Sequence, residues 1–284
     1  MGTSDLLTHG IERRSFARRG LQLSYLDSAP NDRARPVILL LHGFPDEAEM
    51  WLPLIPALHA AGFRVLAPDT VGCGQSAMAA QTSDYDVFSI LDDLCGLLDH
   101  LSVPKVYLAG HDWGSGIAWF LAMHRPQRVL RLCAISVGHP AAYAGAGLRQ
   151  KLMGWYIAYF HLVAIAERLL PGRGYFSLRR VFGSHPDIEG VMARLAVPGR
   201  LTAALRLYRA NVLQHILFSE HPRAKVPVLG IHSADDAFLD AGQMRDSGDW
   251  TDSAFRYVAL DGGHWLPLEQ PQRIAGLMLE HFSQ

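Results

Sequence analysis

A regular alternation of short apolar runs and helical patterns constrains the fold of this 284-residue chain more than any other feature of its sequence. The first run is continuously apolar and the others are largely so, which is typical of strands that are buried on both faces of a sheet. The first four runs are at residues 37–41, 64–67, 105–109 and 129–136. Helical patterns separate them at residues 50–61, 87–101 and 113–124. Strands that alternate with helices in this way predict an α/β fold with a mainly parallel sheet.

The alternation stops after Pro140, and the chain stays helical and aromatic until about Glu220. The remaining elements are strands at residues 228–232 and 255–260, a last helix at 271–281, and two antiparallel strands at 16–18 and 21–27 that meet at Gly20. These runs give eight strands, mostly parallel and flanked by helices. We therefore predict a core domain formed by residues 1–138 and 222–284, with an inserted helical cap at residues 139–221.

The composition excludes several classes of partner. A formal net charge of -1 without long charged runs predicts no nucleic-acid partner. The apolar stretch at residues 152–165 is shorter than the roughly 20 residues that a membrane span needs. Three scattered cysteines and an N-terminus that lacks the pattern of a signal peptide favour a cytoplasmic protein with reduced thiols and no metal site. We expect a monomer or a homodimer that acts on small neutral molecules.

The segment Gly110-His111-Asp112-Trp113-Gly114 joins a predicted strand to a predicted helix. Small residues on both sides of a central side chain are typical of a sharp, strained turn that presents this side chain at the carboxyl edge of a sheet. The unpaired N–H groups at the start of the helix favour a negative charge there. Asp112 is thus a candidate nucleophile, although an aspartate before a helix is more often a simple N-cap.

Three other strand ends carry residues that suit a nucleophilic aspartate. His42-Gly43-Phe44-Pro45 follows the first buried strand, and the backbone N–H groups of Phe44 and Trp113 are predicted to form an oxyanion hole. Asp235-Asp236 follows a later strand, and Gly262-Gly263-His264 follows the last one. We predict that His264 is the base and that an aspartate orients it. Asp236 is favoured for this role because it ends the turn that begins at Ser233, and Asp235 is the alternative.

These motifs resemble the α/β-hydrolase fold, and within it the epoxide hydrolases and the haloalkane and haloacetate dehalogenases. The resemblance covers nearly the whole chain, through the segments LLLHGFP, APDTVGCGQS, GHDWGSGIAW and GGHWLPLEQP and the chain order of nucleophile, acid and histidine. An aspartate nucleophile excludes ordinary esterases, since its attack on an ester gives an anhydride. The resemblance implies an enzyme without a cofactor that uses water and a small lipophilic epoxide to form a vicinal diol.

In epoxide hydrolases, two tyrosines of the cap bind and protonate the oxygen of the epoxide. Tyr208, in the segment LYRAN, resembles the second of them, and Tyr156, in WYIAYF, resembles the first. Tyr159 lies about one helical turn from Tyr156 and is the alternative for this position. Cap aromatics such as Phe176 and Phe182 are expected to line or cover an apolar cavity. The residues expected in the substrate pocket are Trp155, Tyr159, Phe160 and Trp265.

The related dehalogenases are alternatives that fit less well. In haloalkane dehalogenases an asparagine commonly occupies the position of Phe44 and binds the halide, and Phe44 has no such donor. Haloacetate dehalogenases carry arginines near the nucleophile, where this chain has Trp113 and Gly116. A third alternative is a hydrolase-fold protein that binds a ligand without catalysis, since a fold does not fix a function.

Overall fold

The computed structural model describes residues 10–284, which form one sheet of eight strands with helices around it. The strands are β1 (Glu12–Arg18), β2 (Leu21–Asp27), β3 (Val37–Leu41), β4 (Arg64–Pro68), β5 (Val106–His111), β6 (Val129–Ile135), β7 (Val228–Ser233) and β8 (Phe255–Leu260). The helices before β7 are α1 (Ile55–Ala60), α2 (Val87–His100), α3 (Trp113–His124), α4 (Pro140–Gly145), α5 (Leu148–Met153), α6 (Trp155–Phe160), α7 (Ile165–Leu169), α8 (Leu178–Val181), α9 (Ile188–Leu195) and α10 (Arg200–Asn211). The later helices are α11 (Ala241–Arg245), α12 (Leu266–Glu269) and α13 (Pro271–Phe282).

The sheet has the order β1-β2-β4-β3-β5-β6-β7-β8. Strand β2 runs antiparallel to both β1 and β4, and all other neighbours are parallel. The predicted fold, a mostly parallel sheet of eight strands flanked by helices, is confirmed. The predicted antiparallel pair at the start of the chain is also present, with its turn at Gly20.

Two elements differ from the prediction. Strand β1 begins at Glu12 instead of residue 16, because an edge strand needs few apolar residues, and Phe16 alone is fully buried in it. The helical pattern at residues 50–61 forms a 3₁₀ turn at Ala48–Trp51 and the short helix α1. The interruption coincides with Pro53, which lacks the N–H that a continuous helix would need.

Helices cover both faces of the sheet. One apolar layer joins the sheet to α2 and α3, and a second joins it to α1 and α13. The edge of the sheet is tied to its interior by a buried ion pair, in which Arg64 of β4 donates to Asp27 of β2 at 2.9 and 2.6 Å.

Helices α4–α10 lie between β6 and β7, where the sequence predicts a cap. The apolar stretch at 152–165 is divided between α5, α6 and the start of α7, with interruptions at Gly154 and after Phe160. None of the helices within residues 10–284 is long and apolar enough to span a membrane. A third apolar cluster joins these helices to Phe44 and Trp265, which follow the carboxyl ends of β3 and β8.

Candidate active site

Four strand ends meet at the carboxyl edge of the sheet, under helices α4–α10. Phe44 follows β3, Asp112 follows β5, Asp236 follows β7 and His264 follows β8. Because these strands are parallel, their carboxyl ends lie on the same side of the molecule, where α/β proteins bind their ligands.

Asp112 occupies a strained turn between β5 and α3. Its φ of 53° and ψ of -124° are unfavourable for a residue with a side chain. The flanking glycines allow the turn to close, since a methyl group on Gly110 would collide with the backbone of Gly114 and Ser115. The structure gives Asp112 no side-chain hydrogen bond to the start of α3, so the residue is not a simple N-cap.

The two carboxylate oxygens of Asp112 have different surroundings. Oδ1 accepts a hydrogen bond from the backbone N–H of Phe44 at 2.9 Å, and Oδ2 lies 3.6 Å from Nε2 of His264. Trp113 is the first residue of α3, where an N–H group has no acceptor within the helix. The N–H groups of Phe44 and Trp113 thus belong to the two backbone segments that flank this carboxylate, and Asp112 itself is only 8% exposed.

His264 is held by Asp236. Nδ1 of His264 donates to Oδ2 of Asp236 at 2.8 Å, and the other oxygen of Asp236 accepts the N–H groups of Phe238 and Leu239 at 2.8 and 3.0 Å. Asp235 is exposed, and its N–H donates to the carbonyl of Gly262. Of the two aspartates that the sequence offers, the structure brings Asp236 to His264.

The charges around His264 favour its protonated form. Burial by itself would lower the pKa of His264, but the carboxylates of Asp236 and Asp112 outweigh it and raise this pKa to about 10. Burial would raise the pKa of Asp236, but the charge and hydrogen bond of His264 lower it. The resting site is therefore an imidazolium between two carboxylates.

A second buried histidine, His111, contacts the backbone of His264. Its Nε2 donates to the backbone carbonyl of His264 at 2.9 Å, and the hydroxyl of Ser136 lies 3.4 Å from the same oxygen. Burial, followed by repulsion from His264, lowers the pKa of His111 to about 4. A neutral His111 can thus remain a fixed donor when His264 changes its charge. The sequence prediction did not assign a role to His111 or Ser136.

A cavity of about 700 Å³, its open mouth included, lies between Asp112 and the helices above it. Tyr156 and Tyr208 line this cavity, as does Tyr143 of α4. Within the described part of the chain, Asp112 is the one charged residue in the lining, which suits a neutral apolar ligand. Other lining residues are Trp113, Ile117, Phe120, Val137, Leu207 and Leu239.

The tyrosines of the cavity keep their protons at neutral pH. Burial is the main cause, and with the nearby charge of Asp112 it raises the pKa of Tyr156 and of Tyr208 well above the ordinary value of 10. The same two effects raise the pKa of Tyr143 to about 12. The rings of Tyr156 and Tyr208 are 6.4 Å apart, and Tyr208 packs edge-on against Trp113 at 5.0 Å.

Four predicted pocket residues lie outside the lining of this cavity. Trp155 points outwards and is 41% exposed, because it lies on the opposite side of α6 from Phe160. Tyr159 packs on Phe176, and its buried hydroxyl has no hydrogen-bond partner in residues 10–284. Phe160 and Trp265 form the layer behind the cavity, where Phe160 contacts the rings of Phe44 and Tyr208 and Trp265 contacts Phe182 and Phe238. Of Tyr156 and Tyr159, therefore, the structure places Tyr156 at the cavity.

Sequence reasoning also missed two polar residues of the cavity lining, Tyr143 and Asn211. Asn211 ends α10, which carries Tyr208, and accepts the N–H of Val87 at 2.7 Å while donating to the carbonyl of Tyr85 at 2.8 Å. It thereby fixes this helix on the core. Asn211 belongs to the LYRAN segment that drew attention to Tyr208, whereas Tyr143 had no signal beyond the proline that starts its helix.

Residues 10–284 contain no group of three or more His, Cys, Asp or Glu side chains arranged to hold a metal ion. The side chains and backbone groups that the site does present are two carboxylates, a histidine, phenols and backbone N–H donors.

Comparison with known proteins gives concordant matches. Residues 36–271 match the family model described as alpha/beta hydrolase fold. The chain is 32% identical to the AB hydrolase superfamily protein YfhM of Bacillus subtilis and 30% identical to epoxide hydrolase A of Mycobacterium tuberculosis, in each case over 87% of this chain and 90% of the relative. The crystal structure of epoxide hydrolase A from Mycobacterium thermoresistibile superimposes with a TM-score of 0.80 at 26% identity, over 96% of this chain and 98% of that one.

Proposed function

The chain belongs to the alpha/beta hydrolase fold family, and we propose that it is an epoxide hydrolase that converts lipophilic epoxides to vicinal diols through an ester on Asp112. One observation carries the proposal. A carboxylate, instead of an alcohol or a thiol, occupies the strained elbow and faces an apolar cavity that also contains the protonated phenols of Tyr156 and Tyr208. A carboxylate displaces oxygen from saturated carbon, and a phenol assists this step by protonating the departing oxygen.

In the first step, Oδ2 of Asp112 attacks a ring carbon of the epoxide, and the bond between this carbon and the ring oxygen breaks. Tyr156 and Tyr208 bind the ring oxygen, and one of them transfers its proton to the alkoxide. Oδ2 is the attacking atom in this scheme because Oδ1 is engaged by the N–H of Phe44. The product is a hydroxyalkyl ester in which Oδ1 is the carbonyl oxygen.

In the second step, His264 takes a proton from water, and the water oxygen attacks the carbonyl carbon of the ester. The negative charge that develops on Oδ1 is stabilised by the N–H groups of Phe44 and Trp113. The bond between this carbon and Oδ2 then breaks, and the leaving oxygen receives the proton from His264. The diol departs, and the carboxyl proton of Asp112 restores the tyrosine.

Formation of the ester also explains how a protonated His264 becomes a base. The raised pKa of His264 depends on the carboxylates of Asp236 and Asp112. Since the ester is neutral, alkylation removes one of these charges and lowers the pKa of His264. The imidazolium then releases its proton to solvent before the water is activated, and His264 regains a proton from solvent once Asp112 is a carboxylate again.

The site offers less support to the dehalogenase alternatives. The side chain of Phe44 packs against Phe160, Phe182 and Tyr208 and supplies no halide donor. A haloacetate would need a cation for its carboxylate, and the lining of the cavity within residues 10–284 contains neither lysine nor arginine. An epoxide needs neither group.

The covalent intermediate gives the direct test. We expect the His264→Gln variant, after exposure to styrene oxide, to gain the mass of one hydroxyalkyl group by intact-protein mass spectrometry, since the ester can form but water is not activated. Asp112→Asn is the matched control and should gain no mass. If the wild type converts styrene oxide and His264→Gln keeps its original mass, the covalent mechanism is wrong.

A second assay separates the three functions. The wild type is incubated with styrene oxide and, separately, with a bromoalkane of similar size, and both diol and bromide are measured. Diol without bromide is the expected result. Bromide without diol would identify a dehalogenase. Neither product, together with no labelling of Asp112, would favour a protein that binds ligands without catalysis.

A further inference from the structure

The outer side of helices α5–α8 exposes an unusual number of large apolar side chains. Nine of the fifteen exposed large hydrophobic residues within residues 10–284 lie between Leu148 and Arg180. Leu148 is 71% exposed, Tyr175 68% and Val163 66%. We call this surface the outer cap face, and its apolar residues are Leu148, Leu152, Trp155, Leu162, Val163, Ile165, Leu169, Tyr175 and Phe176.

Several apolar residues of the outer cap face lie next to one another. Leu148 and Leu152 are four positions apart on α5, and Ile165 and Leu169 have the same spacing on α7. The ring of Trp155 lies 6.5 Å from that of Tyr175 and 6.1 Å from that of Phe176. An exposed apolar patch of this kind usually marks an interaction surface.

The charges of this face are mainly positive. Between Leu148 and Arg180, all of which the structure describes, there are six arginines or lysines and one acidic residue. That acid, Glu167, is bound by Arg209 at 2.6 Å. Four of the cations form no ion pair with any residue in the described part of the chain: Lys151, Arg168, Arg173 and Arg180. The net charge of the whole chain, -1, conceals this local excess.

From this combination we infer that the outer cap face docks on the surface of an anionic lipid bilayer. Exposed apolar side chains with a cationic surround are the pattern of surfaces that insert shallowly into the headgroup region, and Trp155 and Tyr175 are residue types that favour this region. A second copy of the chain is a poorer occupant, because a symmetric contact would bring the unpaired cations of both copies together. The inference is independent of the proposed catalytic function.

The test uses the full chain and flotation with vesicles of phosphatidylcholine, with or without phosphatidylglycerol. We expect binding to the vesicles with phosphatidylglycerol, much weaker binding to phosphatidylcholine alone, and release at high salt. Arg168→Gln/Arg173→Gln should reduce the partition coefficient by about 30-fold, since each charge near an anionic surface contributes about a factor of five. Leu162→Gln/Val163→Gln should reduce it as well, because these side chains supply the inserted apolar surface.

Two control variants replace residues of the same kind by glutamine outside the outer cap face. Lys105→Gln/Lys225→Gln removes exposed lysines that lie before β5 and β7, at the opposite edge of the sheet. Met78→Gln/Leu130→Gln replaces exposed apolar residues outside the outer cap face. Both should float like the wild type, and thermal unfolding and light scattering would show that all variants fold and share one oligomeric state.

Three results would overturn the inference. The first is failure of the wild type to float with anionic vesicles at low salt, and the second is a loss of binding in the control variants as large as that in the cap variants. The third result is a stable dimer that Leu162→Gln/Val163→Gln dissociates, together with no binding to vesicles. The outer cap face would then be a contact between copies of the chain.

Discussion

Replacement of Asp112 by asparagine tests the link between the proposed nucleophile and the proposed base, His264. The substitution removes a negative charge beside His264 and nearly preserves the shape of the side chain. The pKa of His264 is about 10 because the charges of Asp236 and Asp112 outweigh the effect of burial. We expect this pKa to fall well below about 10 in Asp112→Asn.

The distance between the two side chains gives the size of the expected fall in the pKa of His264. Oδ2 of Asp112 lies 3.6 Å from Nε2 of His264. Two unit charges at this distance interact by about 4–5 kcal/mol at an effective dielectric constant of about 20, so the loss of one charge weakens proton binding by roughly a thousandfold. Asp236 remains at 2.8 Å from Nδ1 of His264, and its charge limits the fall in the pKa of His264. The ester proposed on Asp112 is as neutral as asparagine, so the variant imitates the charge state of the intermediate.

The assay is a pH titration of the histidine ring nitrogens by NMR, with the His264 signals identified by their absence in His264→Gln. Folding stability gives a second measurement. Because the pKa of His264 is raised from 6.5 in the folded protein, its charge stabilises the fold fully below pH 6.5, and this stabilisation is lost as the pH rises towards about 10. In Asp112→Asn the loss should end at a lower pH.

Asp235→Asn is the matched control, since it removes the same charge from an exposed neighbour of the triad acid. It should leave the pKa of His264 nearly unchanged. An equal pKa of His264 in the wild type and in Asp112→Asn would refute the reasoning, because the nucleophile would then not hold the proton on the base. Activation of His264 by ester formation would have to be abandoned.

Two further predictions concern the phenols and the sheet. Tyr156→Phe and Tyr208→Phe should each slow formation of the ester by roughly 10²- to 10⁴-fold in single-turnover experiments with styrene oxide, because each removes a hydroxyl that binds the ring oxygen as its bond to carbon breaks, whereas Tyr159→Phe should have little effect. An equal loss in Tyr159→Phe would show that the wrong tyrosine has been assigned. Asp27→Asn should lower the free energy of unfolding by about 3–5 kcal/mol in urea, since it leaves Arg64 buried without its counter-charge. Asp32→Asn, which breaks the exposed pair with Arg35, is the control, and equal midpoints for the two variants would contradict this account.

The interior of the fold was predictable because its strands are buried on both faces. Strand β3 is apolar at every position, and its short length and β-branched start favour a buried strand over a buried helix. The edge strand β1 exposes most of its residues, so its apolar pattern is too sparse to indicate where it begins. The prolines before α1 were the signal that the helical pattern at residues 50–61 is interrupted. The prediction of one continuous helix followed the apolar pattern and did not take them into account.

The residues of the candidate site also differ in how well the sequence predicts their positions. Asp112, Asp236 and His264 each lie within a few residues of a strand end, so local sequence and the rule for parallel sheets place them together. The cap residues depend on which side of a short helix faces the sheet. Helix α6 has six residues, Trp155–Phe160, and its apolar residues surround it, so periodicity could not show that Tyr156 faces inwards while Trp155 faces solvent.

The position of β6 bears on how His264 reaches Asp112. Strand β6 lies between β5, which precedes Asp112, and β7, which precedes Asp236, so the contacts of His264 with these two aspartates span the carboxyl end of β6. There the chain turns at Ser136, a buried residue with φ of 71°, and its small side chain points to the carbonyl of His264 at 3.4 Å. A larger side chain at this position would occupy the space that the loop after β8 needs. Ser136 and His111, at the ends of β6 and β5, thus both contact the backbone carbonyl of His264, whose ring lies within reach of the carboxylates of Asp236 and Asp112.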